Sequence, residues 1–554
     1  MELRAFSDKV SGNSVMETGY STYNPALNGD ASLRAMDGHN GPVASISQLP
    51  TELLIIIFQF ALPPVDLALM RIEDQIVSYT RMLYTIRRIA KPWQEIVDGT
   101  PTFWKFVTST LPYRINEATI SRSGSGPLTV VCAFRVFGKR DPQEFVDSLA
   151  HTFPRWSAYS GPLVSGYFDM PAPHLQTLVL WKGGPCIAVA ELLGGSATNL
   201  RHVDLSEISF RWKTGLFAEL KVLKLTGPFS RNFKLTTTHL LDALRASPGL
   251  EHLQLYRLSP SLGHPPSSPV VTHPHLRYIN LDWLDAGFAG AILHRMRAPS
   301  CTEFYMKILP ADPKQENTLK FLNESLGLCR EVTHAIHSRN GSSEIYLDGN
   351  AFKWTSEGPV QDVEHLSTFS ITIFCEPPTP CISWVEHILQ DDSGLSIRFN
   401  YYSNLDEEVL ESIKPMRCAT RVVIGDAWSV DKCLPVLKLI GEPLSTDLAL
   451  PSLPCLQELL LIGAGWTAHN LLDMVCSRFN SLLWESTKRT PLTISMSRRT
   501  FASNGVPRPI SDLTTLARIR EIDKVECVRF VGWEELDGTL AITWDDKTSA
   551  PAWV

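Results

Sequence analysis

The sequence predicts an α/β protein, with a small apolar helical block near the N-terminus followed by a long strand–helix solenoid, an irregular horseshoe. Three observations carry that prediction. A short frame of apolar residues recurs five times between residues 174 and 281. Helix-like runs lie between copies of the frame. Residues 45–110 are helical in pattern and hold the most apolar stretch of the chain, QLPTELLIIIFQFALPP at 48–64.

Residues 1–44 are rich in Gly, Ser, Asn and Asp without periodicity, which predicts a disordered tail. The helical block at 45–110 opens with Pro50, suited to a helix start, and Glu52, which complements the positive helix end. At about 100° per residue, Leu53, Ile56, Ile57 and Phe60 form one stripe. Leu54, Phe58 and Leu62 form a second, with Ile55 at its edge. One stripe can pack on a local core and the other then needs a different cover; the sequence leaves open which is which. Downstream, Leu83, Ile86, Ala90 and Trp93 recur at helical spacing. Thr100 is expected to cap a helix that opens at Pro101 and buries Trp104. Pro92 lacks a backbone donor and predicts a break or kink in the third helix.

Burying one large apolar side chain stabilises by about 1.5–3 kcal/mol, while ordering costs about 1–2 kcal/mol per residue. A block this small is marginal alone, so a partner that covers it is expected. The stretch SRSGSGP at 121–127 reads as a linker to the second domain, 111–554.

The frames of that domain are Leu175/Leu178/Leu180, Leu200/Val203/Leu205, Leu220/Leu223/Leu225, Leu250/Leu253/Leu255 and Leu276/Ile279/Leu281. Their first leucines are 25, 20, 30 and 26 residues apart, close to the roughly 20–29 residues of leucine-rich repeats. Alternation within a frame suits a short strand with one buried face. The run TTTHLLDALRASPGL at 236–250 offers Thr for capping, an apolar stripe at Leu240, Leu241 and Leu244, and Pro-Gly to stop it. TAHNLLDMVCSRF at 467–479 repeats the idea. After residue 300 the copies degenerate, at 301–308, 365–371, 455–461 and 525–533.

Composition narrows the function. The net charge of −7, with no cluster of Lys and Arg, argues against nucleic acid. The start lacks the apolar core of a secretory signal, and no apolar stretch approaches the roughly 20 residues of a membrane span. The eleven cysteines are scattered singly, without Cys-x-x-Cys, which predicts neither a zinc site nor a disulfide framework and fits cytoplasm or nucleus. Motifs for nucleotide binding, metalloproteolysis or a serine nucleophile elbow are absent. His334/His337 and His273/His275 are close pairs with no third ligand at a telling distance, so a surface loop or polar face is expected for each. Asp406, Glu407, Glu408 and Glu411 read as a solvated helix start, not paired catalytic carboxylates. Trp181, Trp212 and Trp283 adjoin the frames and could line a recognition surface, though core burial is the plainer expectation. No cofactor, metal or catalytic residue is expected, and an enzyme housed in 300–554 finds little support.

LPTELLIIIF at 49–58 resembles the opening of an F-box, Leu-Pro-x-Glu-Leu-Leu-x-x-Ile-Phe. PWQEIVDGTPTFW at 92–104 resembles the Trp-x-x-Ile-x-x-x-Thr-Pro-x-Leu-Trp ending common in F-box-like proteins of mushroom-forming fungi, with Phe103 in place of Leu. ISRSGSGPLTVVCAF at 120–134 and FPRWSAYS at 153–160 are similar to segments that follow in that group. Two departures stand out: Ile55 and Ile56 occupy positions often polar in relatives, and Ala90-Lys91-Pro92 replaces a common Cys-Arg-Arg.

The resemblance implies a three-helix F-box and the substrate receptor of an SCF-type ubiquitin ligase. The F-box would dock the Skp adaptor and, through it, the cullin and RING subunits, while the repeat domain holds a protein substrate. By that resemblance Leu49, Pro50, Leu53, Leu54, Ile57 and Phe58 would contact the adaptor, and Trp93, Ile96, Pro101 and Trp104 would form the F-box core. The alternative is a leucine-rich-repeat interaction scaffold with a vestigial F-box and no ligase role.

Overall fold

The computed structural model describes residues 46, 49–66, 72–133, 141–182, 192–195, 197–208, 217–227, 236–258, 269–309, parts of 321–336, 342–348, 351–356, 368–374, 379–389, 394–399, 407–424, 430–443, 452–462, 468–479, 492–497 and 525–530. The expected tail at 1–44, and Trp212, His334, His337 and Asp406, lie outside the described residues. Cα packing divides the chain into two units, Met1–Ile56 and Ile57–Val554, with the division inside the first helix.

Three helices open the described chain: α1 Thr51–Ala61, α2 Ile72–Ile89 and α3 Lys91–Gly99. α2 buries Ile72, Ile76, Tyr79, Leu83 and Ile86 along one stripe, with Glu73 and Asp74 in its first turn and Arg87 and Arg88 in its last. Each charge complements the helix end it sits on. The expected break is present, but two residues early. Ala90 is extended (φ −156°, ψ 153°) between α2 and α3, and Pro92 sits in the first turn of α3, where its missing donor is unneeded. It does not kink the third helix.

Thr100 also differs from expectation. Its hydroxyl donates back to the Ile96 carbonyl at 2.6 Å and caps nothing ahead. Pro101–Phe103 form only a 3-10 turn, after which Trp104 is buried as expected. The Trp104 Nε1–H donates to the Val97 carbonyl at 2.8 Å.

The Gly/Ser stretch at 121–127 is a packed turn, not a linker. It joins α4 (Tyr113–Arg122) to β2 (Leu128–Val131). Arg155 clamps it, donating to the Ser123 hydroxyl at 2.6 Å and to the Gly126 carbonyl at 3.0 and 2.9 Å. Gly124, at φ +55°, supplies the left-handed step. Upstream, Asp98 joins α2, α3 and α4. Arg87 grips it bidentately at 2.8 and 2.9 Å, and Arg122 reaches it at 3.0 Å while lying over the Trp104 ring at 4.5 Å.

The sheet begins before the sequence pattern does. β1 (Phe106–Thr108) pairs in parallel with β2, and β3 (Trp156–Pro162) follows. Parallel order continues through β4 (Thr177–Trp181), β5 (His202–Ser206), β6 (Val222–Thr226) and β7 (His252–Tyr256). Val271–Thr272 (β8) and Met296–Arg297 (β10) form a separate small pair, so β7 neighbours β9 (Tyr278–Asp285), which neighbours β11 (Glu303–Leu309).

There the regular order breaks. β12 (Ser343–Asp348), β13 (Ala351–Ser356) and β14 (Thr368–Phe374) enter in reverse, so that β11 pairs β14 and β12 pairs β15 (Leu395–Phe399). β13 is antiparallel to both neighbours. Parallel order then resumes through β16 (Ala419–Ile424), β17 (Glu458–Ile462), β18 (Leu492–Ser497) and β19 (Val525–Phe530). Among the described residues, 17 strands make this one mostly parallel sheet. The protein is α/β.

All fifteen frame residues are buried. They also align across strands: Leu178 opposes Val203, Val203 opposes Leu223, Leu223 opposes Leu253, and Leu253 opposes Ile279. Phe304 and Met306 continue the rows beyond residue 300. α5 (Thr237–Ala246) follows the sequence expectation, with the Thr236 hydroxyl accepting from His239 N at 3.2 Å and Leu240, Leu241 and Leu244 buried. Far along the chain, Arg478 is buried. Its guanidinium donates to the carbonyls of Ile440, Ser452 and Leu453 at 2.9, 2.8 and 3.0 Å. Burial pulls its pKa down to about 10.

Candidate docking site on the first helix

The wheel of α1 divides cleanly. Leu54, Phe58 and Leu62 are buried, with Phe58 only 1% exposed. Leu53, Ile56, Ile57 and Phe60 face outward, and Phe60 is 87% exposed. The buried arc spans about 80° of the wheel, as expected for a helix with one packed side. The Pro50 carbonyl accepts from Leu53 N and Leu54 N at 3.0 and 3.1 Å, so Pro50 starts the helix. Leu62 N closes the last turn on the Phe58 carbonyl at 3.1 Å, just before Pro63-Pro64.

The six residues expected to contact a partner therefore separate. Leu49, Pro50, Leu53 and Ile57 are exposed, whereas Leu54 and Phe58 are buried. Phe58 meets the Trp93 ring at 4.8 Å between centroids. Ile56 and Phe60 join the outward set; the stripe pattern contained them, while the family motif alone did not mark them. Of the four expected core residues, Trp104 is fully buried, Trp93 and Ile96 are half-buried, and Pro101 is exposed. Val97 and Phe103 are buried beside them. Val97 could have been found by its i+4 spacing from Trp93.

A pocket of about 420 Å³ lies beside Phe60, lined by Leu62, Pro63, Val65, Phe103, Phe106 and Lys105 among others. Lys105 sits over the Phe106 ring at 5.0 Å. Tyr79 borders the pocket and donates to the Phe103 carbonyl at 3.2 Å, and burial pushes its pKa up. The outward stripe of α1 is made of apolar side chains. Its chemistry is desolvation: covering each outward side chain is worth up to about 1.5–3 kcal/mol.

Other residues singled out by the sequence fall elsewhere. His273 is fully buried, not in a surface loop, and burial lowers its pKa. It precedes Leu276 at the turn position held by Ala172, Ala197 and Ser247 in earlier frames, which packs inward. Its neighbour His275 is exposed. Glu407 and Glu408 open the helix Glu407–Ile413, exposed, as expected. Trp181 is half-buried at the end of β4 on the alternate, non-frame face, and Trp283 is half-buried inside β9, where a register shift leaves it as the extra residue between Asp282 and Leu284. Among the described residues no group of His, Cys, Asp and Glu could hold a metal ion, and no helix is long and apolar enough to cross a membrane. Comparison with family models and with curated proteins returns no match.

Proposed function

We propose that the chain is the substrate-recognition subunit of an SCF-type ubiquitin ligase, non-enzymatic in itself. Residues 45–110 act as the F-box and dock the Skp adaptor. The sheet domain, as the strand wall of an irregular leucine-rich-repeat solenoid, holds a protein substrate. The outward apolar stripe of α1 carries this reading: Leu53, Ile56, Ile57 and Phe60 are exposed on a helix whose sequence has the F-box pattern. Leu49, Pro50, Leu53 and Ile57 touch the adaptor, and Leu54 and Phe58 hold the helix in place from its inner side. Ubiquitin transfer is then accelerated by proximity, through a raised effective concentration of substrate near the charged conjugating enzyme. Cytoplasm or nucleus is where such an assembly works.

The test is co-purification of the full chain with the Skp adaptor. Leu53→Glu with Ile57→Glu places charge on the outward stripe and leaves Leu54 and Phe58 untouched; it should lower adaptor binding at least tenfold. Leu49→Ala with Pro50→Ala should weaken it too. Undiminished binding by both variants would refute the docking assignment. Adaptor binding without recovery of cullin or ubiquitin conjugates would favour the scaffold with a vestigial F-box.

A further inference from the structure

Cys418 and Cys455 are far apart in the sequence, yet the sheet brings them side by side. β16 and β17 are parallel neighbours with Arg421 opposite Glu458. One residue earlier, Gln457 N donates to the Thr420 carbonyl at 2.8 Å. Cys418 and Cys455 each stand two residues before that bonded pair, so the same register sets them opposite each other. Registered positions on neighbouring strands lie about 4.8 Å apart. That falls within the roughly 4.4–6.8 Å between Cα atoms that a disulfide can bridge. Each cysteine also precedes a buried apolar residue, Ala419 in one case and Leu456 in the other.

The backbone around the pair is held from two sides. Leu453 N donates to the Lys414 carbonyl at 2.8 Å, and Leu456 N donates to the Leu453 carbonyl at 3.0 Å. The Arg478 guanidinium donates to the carbonyls of Ser452 and Leu453 at 2.8 and 3.0 Å. The approach to β17 is thus tied to the approach to β16 already, and a bridge between the cysteines needs little backbone movement. Access separates the two residues. Cys418 is 2% exposed, whereas Cys455 is half-buried. Burial pushes the Cys418 thiol up to about 12, and charge on Glu386 or Cys455 pushes it the same way. A covered thiol that keeps its proton is a poor first target for an oxidant, and Cys455 is the accessible one.

We propose that Cys418 and Cys455 form a reversible disulfide when the protein meets a peroxide, with Cys455 oxidised first and Cys418 as the resolving thiol. The Cys455 thiol gives up its proton and its sulfur attacks one peroxide oxygen. An S–O bond forms, the O–O bond breaks, and the departing oxygen takes the proton, leaving as water when the oxidant is hydrogen peroxide. The Cys418 sulfur then attacks the sulfenic sulfur of Cys455. The S–S bond forms, the S–O bond breaks, and the Cys418 proton leaves with the hydroxyl as a second water. The two sulfurs together lose two electrons, which the peroxide accepts. A resolving thiol next door captures the sulfenic acid before a second oxidation reaches it. The bond staples the approaches to two neighbouring strands, and it is independent of adaptor docking.

The test uses the full chain, reduced, freed of reductant and treated with a small excess of hydrogen peroxide. Remaining thiols are capped with N-ethylmaleimide, and unreduced peptides are mapped by mass spectrometry. A peptide pair joined through Cys418 and Cys455 should be the main cross-link, and dithiothreitol should remove it. In Cys418→Ser, Cys455 should accumulate as sulfenic acid, trapped with dimedone, at least about tenfold above the parent chain. Cys418→Ala repeats that variant without a hydroxyl in the core, and thermal unfolding of each confirms folding. In Cys455→Ser, Cys418 should remain a free thiol. An unlinked pair after peroxide, whether Cys455 stays free or is carried to sulfinic acid, overturns the proposal. So does a link from Cys455 to another cysteine, or oxidation of Cys418 in Cys455→Ser to the extent seen in the parent.

Discussion

α1 and the strand frames are the two most apolar patterns in the chain, and they are used in opposite ways. In the frames all fifteen apolar residues are buried, and those within the strands align with counterparts on the next strand. In α1 Leu54 and Phe58 are buried, with Leu62 just past its end, and Leu53, Ile56, Ile57 and Phe60 are left outside. The difference is geometric. A strand in this sheet sets each buried side chain beside one on the next strand, so the apolar rows are continuous. A short helix covers only the arc that meets its own neighbours, and the rest of a helix apolar all round stays uncovered. Apolar sequence alone does not imply a core.

The comparison is sharpest in mutational stability. Leu253→Ala removes a side chain with no exposed surface from the middle of the aligned rows. It should cost about 2–5 kcal/mol, read by denaturant unfolding of the full chain. Losing the buried Arg478 guanidinium in Arg478→Met leaves three carbonyls without their donors. That should cost about 2–3 kcal/mol; a variant as stable as the parent would show that those carbonyls find other donors.

The non-frame face can be separated from the frames by pH. Burial, aided by Lys224, lowers His202 and His252 from the ordinary 6.5 to about 4. Below pH 6.5 the unfolded chain takes up protons that the folded chain refuses, so stability falls as pH drops from about 6.5 to about 4. His202→Gln with His252→Gln should remove that slope, on the order of 1–3 kcal/mol per histidine at its lower end. A double variant with the parent's pH profile would contradict the burial of these rings.

Smaller effects test the helical region. Asp98→Ala releases Arg87 and Arg122, both partly exposed, and should cost about 1 kcal/mol. Ile57→Ala, on the outward face of α1, should change stability by no more than about 0.5 kcal/mol. Should it cost as much as Leu253→Ala, the contrast between helix and frames would fail.

Much of the fold was legible because its signal is local and repetitive. The five frames announced β4 to β7 and β9, and Thr236 announced the start of α5. β1, β2 and β3 left no frame because both of their faces are buried, which turns alternation into continuous apolar runs such as LTVV. The Gly/Ser stretch at 121–127 looked like a linker because its clamp, Arg155, lies some thirty residues away. The reversed β12–β13–β14 order was illegible for a related reason: which strand pairs with which is settled by long-range contacts, and degenerate frames carry no register. On α1 the two stripes could be drawn from sequence, but their assignment to inside and outside could not.

By itself the sequence determined the α/β class, the frame positions, and the presence of two apolar stripes on the first helix, since each follows from spacing along one segment. Tertiary structure alone decided which stripe faces outward, that Cys418 and Cys455 stand side by side, and where the parallel order reverses. Those are relations between segments far apart in the chain, and periodicity within a segment holds no information about what lies across from it.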